Sequence, residues 1–305
     1  MTEKPLPDVP RLRLLNEVAR QGSLAGAARV LGITSSAVSQ QISILERETG
    51  VQLLDRSSRG VGLTGAGEIL VEHARAVVRL LEATRAEMDQ LSGDLSGRVR
   101  IGSIPSLART VLLPVAEKLE VTVPDIELTV NVVEPVDSIE QLLNGALDIA
   151  IVDLYDNVPM AFPDYLVTRE VLSEPLVLVT PPDYEVPPRL KLSDLRNEAW
   201  VLTPDAGACG QAVRYACRNE GFEPNIRWVV DDLLLLVESI SRGRGISLLP
   251  PLSVDSTVAP VGIQAFDKPH IQRRVLTVTR SSDARRPIVK AVLDEIHSLL
   301  GAAAA

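Results

Sequence analysis

The chain has 305 residues, of which 46% are hydrophobic, and its formal net charge at pH 7 is −9. A chain of this length buries sizeable cores and favours two or three structural units over one. No apolar run approaches the roughly 18 residues that span a bilayer, and the first ten residues lack the basic start and apolar core of a secretion signal, so we expect no membrane partner and a cytoplasmic location.

The negative charge is unevenly distributed along the chain. Residues 1–67 contain 8 basic and 6 acidic side chains, a balance of +2, so the remaining residues carry −11. A weakly positive segment beside an acidic remainder predicts modest affinity of one copy for a polyanion such as nucleic acid. Pairing of two copies on one duplex would strengthen that binding.

The first pattern is a pair of helices joined by a tight turn. A set of small and apolar residues recurs at helical spacing and allows a second helix to cross closely; it comprises Leu24, Ala27, Ala28 and Leu31. Gly32 tolerates the positive φ that such a turn needs. The oxygens of Thr34, Ser35 and Ser36 can cap the next helix, which we expect to begin near Ser35.

The second helix has two different faces. Val38, Ile42 and Leu45 recur at helical spacing and predict a buried side. The opposite side is short, uncharged and rich in hydroxyls and amides, and consists of Ser36, Ser39, Gln40 and Ser43. Such a surface suits base edges and phosphates in a major groove, with Gln40 as the direct base contact. The alternative is an ordinary amphipathic surface helix.

Residues 53–64, with the sequence LLDRSSRGVGLT, predict a hairpin with glycines where the chain turns. Arg56 and Arg59 lie near its tip. Arginine in such a wing reaches phosphate or a narrow minor groove, so we expect both to contact DNA together with Thr34, Ser35 and the polar face of the second helix.

Residues 11–67 resemble the winged helix-turn-helix of LysR-type transcriptional regulators. The match includes the run S-A-V-S-Q-Q-I-S-x-L-E and the closing L-T-x-A-G. The rest of the chain matches the family in layout, less closely in motifs. The resemblance implies operator DNA, a small-molecule effector, RNA polymerase and other copies of the chain, in a dimer or a dimer of dimers, as partners.

The resemblance also implies a three-part fold. A mainly α winged helix-turn-helix, 1–67, is followed by a linker and dimerisation helix, 68–92, and by an α/β effector domain, 93–305. That domain has two lobes like a periplasmic binding protein, and the family threads its chain between them twice. We therefore expect lobe I at about 98–168 and 267–300, and lobe II at about 169–266.

Residues 68–91 contain no proline or glycine and carry a mostly heptad-spaced stripe. The stripe comprises Leu70, His73, Val77, Leu80, Thr84, Glu87 and Leu91. A two-stranded wing cannot bury it, so we expect it to pack against its counterpart in another subunit, with His73 as a packing or pairing residue. The alternative is packing against the chain's own effector domain.

Beyond a hinge-like segment at 92–97, strand and helix patterns alternate, which predicts α/β lobes with parallel strands. Ligands collect at the carboxyl ends of such strands. The candidates there are Ser103, Ile104, Ser106, Leu107, Asp153, Thr203 and Asp231, and the matching positions of LysR-type proteins line the inducer cleft. For each hydroxyl alone, helix capping is the competing interpretation, and Ser106 is placed to cap.

These side chains suit particular effectors. Hydroxyls and free backbone N–H groups suit a carboxylate, and aspartates suit an amine, so an amino acid or an organic acid is the expected effector. Arg109 would fit a plain acid.

Two cysteines, Cys209 and Cys217, bear on alternative functions. They lie outside Cys/His metal spacings, so we expect no metal and no cofactor. One branch of the resembled family senses peroxide with two cysteines, but eight residues on one helix separate this pair by about 12 Å, beyond the roughly 7 Å that a disulfide allows between α-carbons. A ligand-independent DNA-binding repressor or architectural protein is the other alternative. We expect no catalysis, because the chain has no G-x-S-x-G elbow, no P-loop and no G-x-G-x-x-G after a strand.

Overall fold

The computed structural model describes residues 7–57, 60–92, 95–185, 190–265 and 271–303. The chain forms two compact units, Met1–Ser92 and Gly93–Ala305, called here the N-terminal and C-terminal units. Within the residues that the structure describes, no helix is both long enough and apolar enough to cross a membrane.

The N-terminal unit is mainly helical. Its elements are α1 (Val9–Gln21), α2 (Leu24–Leu31), α3 (Ser35–Thr49), β1 (Leu54–Ser57), β2 (Gly60–Leu63) and α4 (Gly65–Ser92). Gly32 ends α2 in the left-handed conformation at φ 66°, and the Thr34 side chain caps α3. The predicted turn and helix start are therefore confirmed, because each depends on local backbone and capping preferences.

The core of this unit lies where α1, α2 and α3 meet α4. Leu15, Val38 and Ile42 are fully buried there. Strands β1 and β2 pair antiparallel with Leu54 opposite Leu63, which confirms the predicted hairpin. Thr64 donates its backbone N–H to the Leu53 carbonyl at 2.9 Å, so the hairpin base is joined to the start of α4.

Lobe I of the C-terminal unit is built on a five-stranded sheet of order β4-β3-β5-β12-β6. Its strands are β3 (Gly97–Ser103), β4 (Ile126–Val132), β5 (Ile149–Tyr155), β6 (Leu166–Pro175) and β12 (Gln272–Arg280). Helices cover its faces: α5 (Pro105–Leu107), a π-helical stretch (Ala108–Leu112), α6 (Leu113–Thr122), α7 (Pro135–Leu143) and α10 (Pro287–Ala303).

Lobe II contains a three-stranded sheet of order β10-β7-β11 and a parallel pair, β8-β9. Its elements are β7 (Val177–Thr180), β8 (Ala199–Leu202), α8 (Ala208–Asn219), β9 (Asn225–Val229), α9 (Leu233–Ser241), β10 (Ser247–Leu249) and β11 (Gly262–Gln264). Trp200 is fully buried in its core. The return of the last strand and helix to lobe I is as the family resemblance implied.

Two details of the sequence-based prediction are wrong. Strand β6 pairs with β12 along its whole length, from Leu166 to Pro175, so the chain leaves lobe I after Pro175 rather than near residue 169. The sheets are also not uniformly parallel. The lobe I sheet is mixed, because β12 runs antiparallel to β5 and β6, and the three-stranded sheet of lobe II is antiparallel, because β7 runs antiparallel to β10 and β11. A strand that returns from the second lobe enters the first sheet from the opposite end.

Candidate functional site

Helix α3 presents a polar surface on the side opposite its buried residues. Ser36 and Gln40 are exposed, whereas Ser39 and Ser43 are half-buried. The Ser43 hydroxyl donates to the Ser39 carbonyl at 2.9 Å. Ser36 and Gln40 therefore project furthest toward a docked partner.

The start of α3 is held by hydroxyl groups. Thr34 accepts a hydrogen bond from the backbone N–H of Ala37 at 3.2 Å, and its hydroxyl lies 2.9 Å from that of Ser36. Ser35 is the first residue of the helix and is exposed. A helix start of this kind presents backbone N–H groups that attract phosphate.

One cation on the same face was not predicted from the sequence. Arg47 lies seven residues, about two turns, beyond Gln40, and it is exposed, with its Nε 3.3 Å from the Ser43 carbonyl. The same helical spacing that selected Ser36 and Gln40 would have found it.

The predicted wing residues are only partly described. Arg56 lies on β1, opposite Val61 on β2, but its side chain is outside the description. Arg59 falls at 58–59 and lies wholly outside the described residues. Their contact with DNA stays a prediction.

Helix α4 has one buried and one exposed apolar side. Val71, Ala74 and Val78 are buried within the unit, whereas 41% of Val77 and 68% of Leu80 are exposed. His73 and Thr84 are also exposed, and Leu70 is half-buried. The side chains of Glu87 and Leu91 lie outside the description. Much of the predicted stripe is therefore uncovered within the N-terminal unit.

A cleft of about 320 Å³ separates the two lobes of the C-terminal unit. The carboxyl ends of parallel strands meet at this edge. Five predicted residues line it: Ile104, Ser106, Asp153, Thr203 and Asp231.

Two predicted residues do not reach the cleft. Ser103 is fully buried, and its hydroxyl donates to the Ile104 carbonyl at 3.3 Å. Leu107 is fully buried in the core of lobe I. Both directly adjoin cleft residues in sequence, but the backbone turns their side chains inward.

Four lining residues with polar or titratable side chains were missed: Glu134, Tyr155, Cys209 and Ser253. Glu134 follows the carboxyl end of β4, so the strand-end rule would have found it. Tyr155 lies two residues beyond Asp153 on β5, on the same face of the strand. Ser253 follows β10 and Cys209 is in the first turn of α8.

A fully buried arginine lies beneath the cleft. Arg273 stands opposite Tyr155 on one neighbouring strand and opposite Glu174 on the other. Its guanidinium lies 3.2 Å from Glu174 and 3.5 Å from Asp153. A buried cation needs such compensation, because an unpaired charge in a core is costly.

The Ser106 hydroxyl contacts this arginine and does not cap the start of helix α5. The residue that precedes helix α5 is Ile104, and no side chain caps that helix. The Ser106 hydroxyl lies 3.4 Å from a guanidinium nitrogen of Arg273. The predicted capping role of Ser106 is therefore wrong, because the helix begins at Pro105, two residues earlier than a cap at Ser106 requires.

Burial and negative charge determine ionisation in the cleft. Burial raises the pKa of Glu134, and the charges of Asp153 and Asp231 raise it further. Burial raises the pKa of the Cys209 thiol to about 11, and Asp153 acts in the same direction. The Tyr155 hydroxyl donates to Asp153 at 2.8 Å. Burial is the main reason that the pKa of this tyrosine lies well above its usual value.

The loop before α8 places at the cleft a polar atom that has no hydrogen-bond partner in the described part of the chain. The hydroxyl oxygen of Thr203 is buried and makes no hydrogen bond within the described part of the chain. The helix packs tightly against this loop, since a β-carbon at Gly210 would lie 2.6 Å from the Thr203 carbonyl. The backbone of Thr203 is therefore closely packed against α8, and its hydroxyl oxygen is a buried polar atom at the cleft wall without a partner among the described residues.

The two units match two models of one family. Residues 10–68 match the bacterial regulatory helix-turn-helix protein, lysR family, and residues 92–301 match the LysR substrate binding domain. The chain belongs to the LysR family. It is a DNA-binding transcriptional regulator with an effector-binding domain, and the fold expected from the resemblance is confirmed.

LysR-family relatives of this chain differ in what their names describe. A probable hydrogen peroxide-inducible genes activator of Mycobacterium avium is 32% identical over 92% of this chain and 90% of its own. The nitrogen assimilation regulatory protein nac of Escherichia coli is 29% identical over 82% and 81%. A full-length OxyR variant from Pseudomonas aeruginosa has the same fold, with a TM-score of 0.73, 23% identity and coverage of 96% and 95%.

Arg109, the cation expected for a plain organic acid, is not part of the cleft lining of this LysR protein. Its guanidinium pairs with Asp255. An acid in the cleft would therefore not meet the positive charge of Arg109, on which the expectation of a plain organic acid depended.

Proposed function

We propose that the effector binds in the cleft between the lobes, with Ile104, Ser106, Asp153, Thr203 and Asp231 among its contacts. The observation that carries this proposal is the buried, unpartnered hydroxyl of Thr203 in a cavity large enough for a small molecule. A ligand that contacts both lobes has different affinities for open and closed arrangements, and only such a difference can shift a conformational equilibrium.

On the DNA side, we propose that Thr34, Ser35, Ser36, Ser39, Gln40 and Ser43 meet bases and phosphates, and that Arg56 and Arg59 anchor the wing. The exposure of Ser36 and Gln40 supports this assignment. Residues 1–67 then form the DNA-binding domain, 68–92 the linker and 93–305 the effector domain.

We further propose that α4 pairs two subunits and that two dimers join on one operator. The exposed Val77 and Leu80 support this pairing, because apolar side chains on one helix face gain stability when a partner covers them. RNA polymerase is the remaining partner of the proposed regulator, which works in the cytoplasm and binds its effector without turnover.

The test uses full-length protein and duplexes selected from a random library, with a metabolite panel added to the bound complexes. Thr203→Val should remove the response of DNA binding to the effector and leave the affinity for DNA unchanged. Thr122→Val is the matched control, since Thr122 is exposed at the end of α6. Loss of DNA binding in the Thr203 variant, or an intact effector response, would contradict the proposal.

A second candidate is redox sensing. It is favoured by the position of Cys209 in the cleft and by the peroxide-inducible relative. The raised pKa of this thiol opposes it, because the thiolate is the form that reacts with oxidants.

A further inference from the structure

Carboxylates from both lobes face the effector cleft. Glu134 and Asp153 belong to lobe I, and Asp231 follows β9 in lobe II. Both aspartates are close enough to influence Glu134, since their charges act on it. The negative charge therefore surrounds the cavity rather than lying on one wall.

Little positive charge balances these groups. Among the described residues that line the cleft, there is no lysine, arginine or histidine. Arg273 lies beneath the floor, is fully buried, and is held by Asp153 and Glu174. A second buried arginine, Arg214, donates to the Thr203 carbonyl at 3.0 Å and lies 3.8 Å from Asp205. The four carboxylates and Arg273 thus have a formal charge of −3, to which the pair of Arg214 and Asp205 adds none.

The carboxylates do not form a metal site. Within the described ranges, no group of three His, Cys, Asp or Glu side chains is arranged to hold a metal ion. Charges that surround a cavity of about 320 Å³ without converging on one point fit a cation of molecular size.

The Thr203 hydroxyl, a neutral polar group of the cleft, also suits a cation that carries N–H donors. The buried hydroxyl oxygen of Thr203 has no partner in the described structure, and a hydroxyl oxygen accepts hydrogen bonds from N–H donors. An ammonium or guanidinium group supplies several such donors and carries the charge that the carboxylates lack.

We infer that the effector is an organic cation that carries an amine or guanidinium group between Glu134 and Asp231. This inference rests on the proposed function, since it takes the cleft as the effector site. An anionic effector would add negative charge to an acidic cavity of low polarity, where like charges repel strongly.

The experiment is calorimetric titration of the full-length chain with two sets of probes. Putrescine, agmatine and arginine are the amines, and succinate and benzoate are the acids. We expect amines to bind and acids not to bind. Asp231→Asn and Glu134→Gln should each weaken amine binding about tenfold or more, as for loss of a charge-assisted hydrogen bond.

The control variant is Asp183→Asn, in lobe II. Asp183 is exposed and does not line the cleft, so amine affinity should stay unchanged. Amine binding that neither cleft variant weakens would overturn the inference. Acid binding that Thr203→Val removes would overturn it as well and leave the proposed function standing, whereas binding of neither set would count against both.

Discussion

Two consecutive arginines on β12 have opposite environments. Arg273 is fully buried between Asp153 and Glu174, whereas the Arg274 side chain is 45% exposed and lies 3.9 Å from Glu170. Successive side chains of a strand point to opposite faces of the sheet. The sequence shows two equivalent cations, and only the placement of β12 between β5 and β6 decides which of them supports the cleft.

At the DNA surface, the side chain to test is Gln40. Gln40→Ala should relax base preference at one position of the selected sites and cost about 1–3 kcal/mol there, since a bidentate amide contact to a base is worth that much. Selection of binding sites from random duplexes, followed by sequencing, measures the change.

The matched control for Gln40 is its neighbour. Gln41 is half-buried and points about 100° away around the helix, so Gln41→Ala should keep the base preference. An unchanged preference in the Gln40 variant would move base recognition to another residue of α3.

In the cleft, Cys209 should be an unreactive thiol. Burial, followed by the charge of Asp153, raises its pKa to about 11. The thiol form therefore predominates, and only about one molecule in a thousand is thiolate at pH 8. We expect alkylation by iodoacetamide to be far slower than for free cysteine and to accelerate as pH rises toward 11, as measured by mass spectrometry of the labelled peptides.

Free cysteine in the same tube and Cys217 in the same chain are the references. Burial raises the pKa of Cys217 to about 12, so it should react no faster than Cys209. Alkylation of Cys209 at the rate of free cysteine would revive the redox hypothesis.

At the scale of elements, the joint between the hairpin and α4 depends on one glycine. A β-carbon at Gly67 would clash with the backbone carbonyl of Leu53, which is the acceptor for the Thr64 N–H. Backbone cannot rotate away as a side chain can. Gly67→Ala should therefore destabilise this joint by about 1–3 kcal/mol, as overpacking does.

Gly65 offers a control on the same helix. Its β-carbon would meet nothing within 4 Å, so Gly65→Ala should leave the joint intact. Hydrogen exchange followed by mass spectrometry measures both variants: the Thr64 amide should exchange faster only in Gly67→Ala. Equal protection in the two variants would show that the hairpin relaxes at little cost.

At the scale of the whole molecule, assembly should depend on the exposed stripe of α4. Leu80→Glu should dissociate the dimer and lower operator affinity at least a hundredfold. Each buried leucine contributes about 1.5–3 kcal/mol, and a symmetric interface contains the position twice. Sedimentation velocity and DNA titration are the measurements.

The exposed, polar Glu72 of the same helix serves as the control. Glu72→Gln should keep both the dimer and the DNA affinity. A Leu80→Glu protein that remains dimeric would place the subunit interface elsewhere.

Local patterns predicted much of the fold. The turn at Gly32, a hydroxyl cap at the start of α3 and the hairpin at 53–64 were all predicted from the sequence, because turns, caps and amphipathic faces depend on neighbours in the chain. The motifs of the N-terminal unit, among them S-A-V-S-Q-Q-I-S, indicated the family for the same reason.

Only the tertiary structure decided the composition of the cleft. Strand ends indicated Asp153, Thr203 and Asp231, but not that Ser103 and Leu107 turn inward. Arg273 and Ser106 are separated by 167 positions in the chain, and they meet because β12 returns from lobe II to stand beside β5. Sequence therefore determined the elements and the kind of protein, whereas the charge and shape of the effector site arise from contacts between distant segments, which no local pattern encodes.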